Sequence, residues 1–324
     1  MRVLITGGAG FIGSHLTERL VADHHSVSIL DDFNNFYDPE LKRRNLASVA
    51  GHSRLQVSVG DIRDNSFVTP LFESFRPDAV VHLAARAGVR PSVMDPLLYE
   101  SVNVGGTTVL LEAARRTGVR KFVFASSSSI YGVGDAAPSS ENSTPPRPIS
   151  PYAATKIAGE HLCHVYAHLY GLQVVCLRLF TVYGPRQRPD LAIRKFTDMV
   201  LRGEPIPMYG DGSSARDYTY IDDTADGIAR ALAQERSFEI YNLGQSHPVT
   251  LREMIDCIAR HAGREAVLEQ LPRQCGDAWV TYADISKAKR ELGYSPRVSF
   301  EEGIRRFVSW YRTSGALAAT ASLR

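Results

Sequence analysis

Short, near-continuous apolar runs alternate along the first half of the chain with longer segments whose apolar residues recur every three or four positions. The runs are RVLIT (2–6), SVSIL (26–30), LQVSV (55–59), AVVHLA (79–84), KFVFAS (121–126) and VVCLRLF (174–180). They are rich in β-branched residues and separated by helical stretches, as strands of a parallel sheet covered on both faces should be. The pattern predicts an α/β fold: a Rossmann-type doubly wound parallel sheet with a smaller mixed α/β unit. From Thr181 the rhythm loosens into VYGPRQRPD and PIPMYGDGSSARD, and helical periodicity reappears at 191–202, 250–262 and 300–313. The expected division is one unit built on the doubly wound sheet over 1–180 and a second, smaller unit over 181–324. A segment near 217–245 is expected to return to the first sheet, because EIYNLG (239–244) reads as one more strand. The last residues, GALAATASLR, read as a frayed tail.

Composition narrows the class. With 324 residues, 44% hydrophobic and 22% charged, the chain can bury a large core and is not predominantly disordered. Its 37 basic and 35 acidic side chains leave a net charge of +2, too little for a broad field that grasps nucleic acid, though a local anion pocket remains open. No run reaches the ~18 apolar residues of a membrane span. MRVLITGGAGFIG enters a strand pattern without a separate apolar leader, so no signal peptide is expected. The four cysteines share no CxxC spacing, which argues against a zinc knuckle and a disulfide scaffold alike. A reduced, cytoplasmic enzyme without a metal is the expectation.

Gly7, Gly10 and Gly13 follow the first strand and open the first helix. Such a turn lets the backbone approach a pyrophosphate, which then sits on a helix N-terminus where free N–H groups and the dipole favour anions. Asp31 stands at the end of the second run, where a carboxylate accepts hydrogen bonds from an adenosine ribose and repels a 2′-phosphate, so the expected cofactor is NAD rather than NADP. Asp61, at the end of the third run, reads equally well as an adenine contact or as a loop-capping aspartate.

Tyr152 and Lys156 stand four apart at the start of a helix, hence on one face. A phenol is a poor base at neutral pH, but an adjacent ammonium and a cationic nicotinamide stabilise its phenolate. The serine run 126–129, at the end of the preceding strand, supplies a hydroxyl to share the substrate's proton.

Together TGGAGFIGSHL, DDFNNFYDP, GDIRD, HLAARAGVR, ASSSSIYG, SPYAATKIAGE, RLFTVYGPRQRPD and RDYTYIDD resemble the nucleotide-sugar epimerase group of the extended short-chain dehydrogenases/reductases, from Arg2 to about Phe307. The resemblance implies Ser127 as the active hydroxyl, Tyr152 as base and Lys156 as its electrostatic partner and nicotinamide-ribose ligand. It implies that Phe11, Ile12, Ile62, Leu83, Ala84 and Ala85 line the cofactor and that Asn103 supports the same site. Sugar 4,6-dehydratases of the group carry Asp-Glu, and uronate decarboxylases Ser-Glu, where this chain has Ser128 and Ser129. Without a carboxylic acid to protonate a leaving group or an enolate, removal and return of hydride is what remains.

The segments DDFNNFYDPELKRRNL and FTVYGPRQRPDLAIRKF are most similar to those of UDP-glucuronate 4-epimerases. On that likeness Thr181, Ser128 and Arg188 meet a sugar carboxylate, Arg216 meets the UDP pyrophosphate, and Asp277 contacts substrate. Arg188 reads also as a solvated loop cation or an interdomain salt bridge. Gln274 stands where the group usually has a basic residue, which weakens any phosphate role for neighbouring Arg273. A small residue, Thr281, leaves N-acetylhexosamine substrates open, so UDP-glucose and UDP-N-acetylglucosamine 4-epimerases are the alternatives; an NAD-sensing regulator ranks low because the tyrosine–lysine pair is intact. His161, His164 and His168 lie along one helix without a carboxylate pattern for a metal and read as a packed face. The resemblance also implies a homodimer, for which helices at about 97–117 and 152–170 offer Val102, Val109, Leu110, Ala113, Cys163 and Tyr166 as apolar surface.

Overall fold

The six apolar runs pair side by side in the computed structural model, which describes residues 1–132, 138–142, 147–272 and 280–314. They form β1 (Arg2–Thr6), β2 (Ser26–Asp31), β3 (Leu55–Val59), β4 (Ala79–His82), β5 (Lys121–Ser127) and β6 (Gln173–Leu179). The remaining strands are β7 (Thr181–Tyr183), β8 (Ile206–Tyr209), β9 (Ala215–Tyr220), β10 (Phe238–Leu243), β11 (Pro248–Thr250), β12 (Leu268–Leu271) and β13 (Val280–Thr281). The main sheet has the order β10-β6-β5-β4-β1-β2-β3 and is parallel throughout; of the segment near 217–245, the strand EIYNLG lies beside β6, whereas β9 pairs with β7, β11 and β13 in a separate small sheet. Strand order reverses between β1 and β4, the place where an open α/β sheet leaves a crevice beyond its carboxyl ends.

The helices in chain order are α1 (Phe11–Ala22), α2 (Pro39–Asn45), α3 (Asn65–Phe75), α4 (Val89–Met94), α5 (Pro96–Glu100), α6 (Gly106–Thr117), α7 (Pro151–Tyr170), α8 (Ala192–Arg202), α9 (Ile221–Leu232), α10 (Leu251–Ala262), α11 (Ser286–Leu292) and α12 (Phe300–Thr313). One face of the main sheet packs Val3, Ile5 and Val175 against Leu16 and Leu20 of α1 and Ile228 of α9. The other packs Leu4, Val80 and Phe124 against Phe72 of α3, Leu110 of α6 and Cys163 of α7. A third cluster, with Tyr183, Ile193, Met208, Ile255 and Phe307, joins the small sheets of β7–β9 to α8, α10 and α12.

The single helix expected over 97–117 is broken. Its first half is α5, Ser101–Gly105 forms a π-turn, and only then does α6 begin. The proposed dimer residues on these elements also sit elsewhere than expected: Leu110, Ala113 and Cys163 are fully buried within the chain's own core, and Val102, Val109 and Tyr166 pack against it. The exposed apolar side chains of this region are instead Val89, Val93, Met94, Leu97, Val165, Leu169 and Tyr170. Spacing alone identified the helices but misjudged which stripe faces the sheet. His164 stacks on His168 and meets the edge of Phe238, so these two histidines pack as rings. No helix among the described residues is long and apolar enough to cross a membrane.

Candidate active site

A cavity of about 470 Å³ opens at the carboxyl ends of β1, β2, β4 and β5. Gly7, Gly10, Phe11, Ile12 and Gly13 form one end of its wall, Asp31, Asp61 and Ile62 follow, and Leu83, Ala84 and Ala85 run toward the middle. Gly7 has φ +70°, and a Cβ there would stand 2.8 Å from the backbone nitrogen of Ala84. A Cβ on Gly13 would stand 2.2 Å from the carbonyl oxygen of Gly7. The turn is therefore pressed against its own helix and the next strand, which leaves the first N–H groups of α1 at the cavity.

Asp31 is 5% exposed and accepts hydrogen bonds from the N–H groups of Ala9 and Phe33 at 3.2 and 2.9 Å. Lys42, buried in α2, donates to the same carboxylate at 3.2 Å. This partner was not legible in the sequence, where Lys42 is one of three cations in ELKRRN. Its ammonium offsets part of the carboxylate charge at this end of the cavity. Asp61 accepts from Arg63 Nε and Nη2 and from the Arg63 N–H, the pairing of a loop cap, while still lining the cavity. The glycine cradle and the carboxylate at the end of β2 fit a dinucleotide.

At the centre, α7 starts on Ser150, whose hydroxyl accepts from the Ala153 N–H, and continues through Pro151 at its first turn. That cap places Tyr152 and Lys156 at the cavity wall facing Ser127 at the end of β5. Burial pushes the Tyr152 phenol above its ordinary value, opposed by a hydrogen bond from Ser127 and by the charge of Arg188. Burial likewise lowers Lys156 to about 8, and its ammonium donates to the Ala125 carbonyl at 2.7 Å. The ammonium lies 5.9 Å from the Tyr152 ring centroid. Net of these effects, burial favours the neutral phenol of Tyr152 in this cavity.

Asn103, expected at the cofactor, is not in the cavity wall and lies buried behind it. Its amide nitrogen donates to the Arg86 carbonyl and to Thr155, its oxygen accepts from the Arg86 N–H, and it is 2% exposed. Beneath it His82 is hydrogen-bonded by Nδ1 to Thr6 and by Nε2 to Thr107. Burial lowers His82 to about 3, and burial with the charge of Arg186 lowers His15 to about 4. Both imidazoles are protonated below about 6.5 when unfolded but stay neutral when folded, so their contribution to stability is complete above that value and is lost as pH falls toward the folded values. Each should cost about 2 kcal/mol between pH 7 and pH 5. Urea unfolding at both pH values, in the native chain and in His82→Asn, measures this; an equal loss in the two chains would refute the assignment to His82.

At the other end of the cavity stand Ser128, Thr181 and Arg188. Arg188 is held bidentately by Asp190, at 2.9 and 2.8 Å, and its guanidinium lies 5.3 Å from the Phe36 ring centroid. Arg86 approaches the same ring at 5.9 Å. Phe36 thus has two cations within 5.9 Å of its ring centre, a pairing invisible in sequence because its partners are 50 and more residues away. Arg216 lies on β9, with Nη1 on the Ala215 carbonyl, and is not in the cavity wall. Thr281 pairs in register with Arg216 on β13. Arg273, Gln274 and Asp277 lie outside the described residues.

Comparison with known proteins points the same way. A model of the GDP-mannose 4,6 dehydratase family matches residues 4–307. A UDP-glucuronate 4-epimerase of Thermodesulfobacterium geofontis is 42% identical over 308 residues, covering 95% of each chain. Among solved structures, the Bacillus cereus UDP-glucuronic acid 4-epimerase in complex with UDP-glucuronic acid and NAD is 38% identical, with a TM-score of 0.91 over 97% of this chain and 100% of its own. The Thermus thermophilus UDP-glucose 4-epimerase in complex with NAD is 40% identical, with a TM-score of 0.88 over the same shares.

Proposed function

The chain belongs to the GDP-mannose 4,6 dehydratase family, and from that premise we propose that it is an NAD-dependent UDP-sugar 4-epimerase acting on UDP-glucuronate to give UDP-galacturonate. The observation that carries the reading is the serine pair, Ser128 and Ser129, in the turn beside Tyr152. Neither can act as the carboxylic acid that dehydration or assisted decarboxylation needs, while the tyrosine, lysine and Ser127 required for reversible oxidation at a carbinol carbon all meet in one cavity. NAD, when bound, supplies that reversible oxidation.

The chain's own residues manage the proton and the geometry. Tyr152 takes the proton of the C4 hydroxyl and later returns one, Ser127 donates a hydrogen bond to the oxygen on which charge changes, and the Lys156 ammonium favours the charged form of the tyrosine against its burial. The 4-keto sugar turns on its pyrophosphate tether to present its other face to the same tyrosine.

From glucuronate this ketone is a β-keto acid, which loses CO₂ most easily when the breaking C–C bond lies parallel to the carbonyl π system. Hydroxyls of Ser127, Ser128 and Thr181, with Arg188, restrain the carboxylate, because directed hydrogen bonds fix orientation as well as charge. Asp190 aids this by holding Arg188 in one place. Arg188→Ala should therefore lower kcat/KM for UDP-glucuronate about 10- to 100-fold more than for UDP-glucose, the worth of one charge-assisted hydrogen bond. A decarboxylated pentose product should appear beside it. Proton NMR of the anomeric region reads both; equal losses toward the two sugars would make the neutral UDP-hexose epimerase the better reading.

A homodimer completes the proposal. Its support is the exposed apolar set on α4, α5 and α7, where Met94 is 86% and Leu97 80% exposed, a concentration that a monomer gains nothing by leaving in water. Light scattering should return twice the chain mass of 35.7 kDa at micromolar concentration. The single-chain mass would contradict it.

A further inference from the structure

Directly behind the reacting serine lies a buried ion pair that the chemistry above does not use. Arg178, inside the apolar strand β6, grips Glu160 of α7 with Nε and Nη2 at 3.0 and 2.8 Å, and both residues are no more than 6% exposed. Register places Arg178 opposite Ser126 on β5 and opposite Asn242 on β10, so three polar side chains form a row across three apolar strands. The row is closed from both sides. Ser126 donates to Glu160 at 2.5 Å, Arg178 Nη1 donates to the Tyr131 hydroxyl at 2.9 Å, and that hydroxyl donates to Asn242 at 2.7 Å.

Ser126, the last residue but one of β5, and Tyr131, the last residue of the turn Ser128–Tyr131, flank Ser127, Ser128 and Ser129 on either side. Glu160 rides on the same helix as Tyr152 and Lys156, one turn beyond the lysine. A single guanidinium–carboxylate pair is therefore tied to both ends of the serine turn and, through the helix backbone, to the tyrosine. Relative to well-packed apolar side chains, such a pair adds little net stability, but its bidentate geometry fixes direction.

We propose that Glu160 and Arg178 are positioning residues that set the Ser127 hydroxyl against Tyr152 by clamping Ser126 and Tyr131. The proposal rests on Ser127 and Tyr152 acting as the proton-handling pair, and it adds what holds them at hydrogen-bonding distance.

The test releases the two anchors and leaves the ion pair intact. Ser126→Ala and Tyr131→Phe each remove one hydroxyl. Lys156, Arg188 and Tyr99, the ionisable groups that face Tyr152, stay in place, as do Cys163 and Cys176 beside the pair. Each variant should lower kcat about three- to tenfold with KM unchanged, a fraction of what full proton transfer contributes. The acidic limb of the rate–pH profile should move upward by about half a unit, because Tyr152 loses a hydrogen bond that favours its charged form. Ser127→Ala should show the same displacement, and adding either anchor variant to it should move the limb no further. A limb that stays at its native position in Ser126→Ala/Tyr131→Phe, or one that moves further in the Ser127→Ala background, overturns the proposal. If the double variant does not fold, the two single variants carry the same comparison. A Ser127→Ala enzyme with the native limb would instead remove Ser127 from the proton-handling pair, and the proposal with it.

Discussion

Tyr152→Phe should reduce kcat by about 10²–10⁴-fold or more, because the reaction loses the group that carries the C4 proton. The substitution removes one oxygen and keeps the ring. Tyr99, whose ring meets that of Tyr152 edge-on at 6.3 Å, keeps its packing partner. The Lys156 ammonium remains on the Ala125 carbonyl at 2.7 Å, so the helix start is undisturbed. Thermal stability and the content of bound NAD should therefore match those of the native protein. Product formation from UDP-glucuronate, followed by proton NMR, measures the loss. A variant retaining a tenth or more of the native rate would show that water or Ser127 carries the proton, and Tyr152 would lose its place in the mechanism.

Gly13→Ala should yield a protein that folds less stably and does not retain NAD. A methyl group at this position would meet the Gly7 carbonyl oxygen at 2.2 Å and the Gly8 Cα at 2.7 Å, both of them backbone atoms that no rotamer change can move. The clash can be relieved only by lifting α1 from the turn between β1 and the helix, and overpacking of this kind costs about 1–3 kcal/mol. The same displacement draws the helix N-terminus away from where a pyrophosphate lies, so cofactor binding falls with stability. Gly105→Ala is the contrasting substitution, since it has a helical φ of −58° and nothing stands within 4 Å of the added carbon. It should be neutral or stabilising by up to ~1 kcal/mol through loss of backbone freedom in the unfolded chain. Nucleotide released on denaturation, together with melting temperatures, separates the two. Full NAD content in Gly13→Ala would mean that the turn tolerates what its packing forbids.

Much of this protein is written in local order. Six apolar runs, a glycine turn followed by a helix, an aspartate at the end of the second run and a Tyr-x-x-x-Lys spacing each depend on a few neighbouring residues. A period of two or of 3.6 and a backbone that only glycine allows are properties of short segments, and they led to the parallel sheet, the cofactor end of the cavity and the tyrosine–lysine pair. EIYNLG was legible as a strand for the same reason. The partners were not. That Lys42 closes on Asp31, that Arg178 grips Glu160 across 18 residues, and that Asp190 holds Arg188 while Phe36 lies beneath it are consequences of which strand ends and loops meet. Arg178 left a trace, a guanidinium within VVCLRLF, since a charge inside a strand buried on both faces requires a partner; its identity could come only from the register of β5, β6 and β10. Helix 97–117 shows the opposite case, in which an apolar stripe was visible but its direction was decided by the sheet it packs on. Local chemistry determined which elements and which reacting groups exist; the pairing of distant surfaces, where burial makes every unmatched charge costly, decided which of those groups are neutralised, clamped or left facing the cavity.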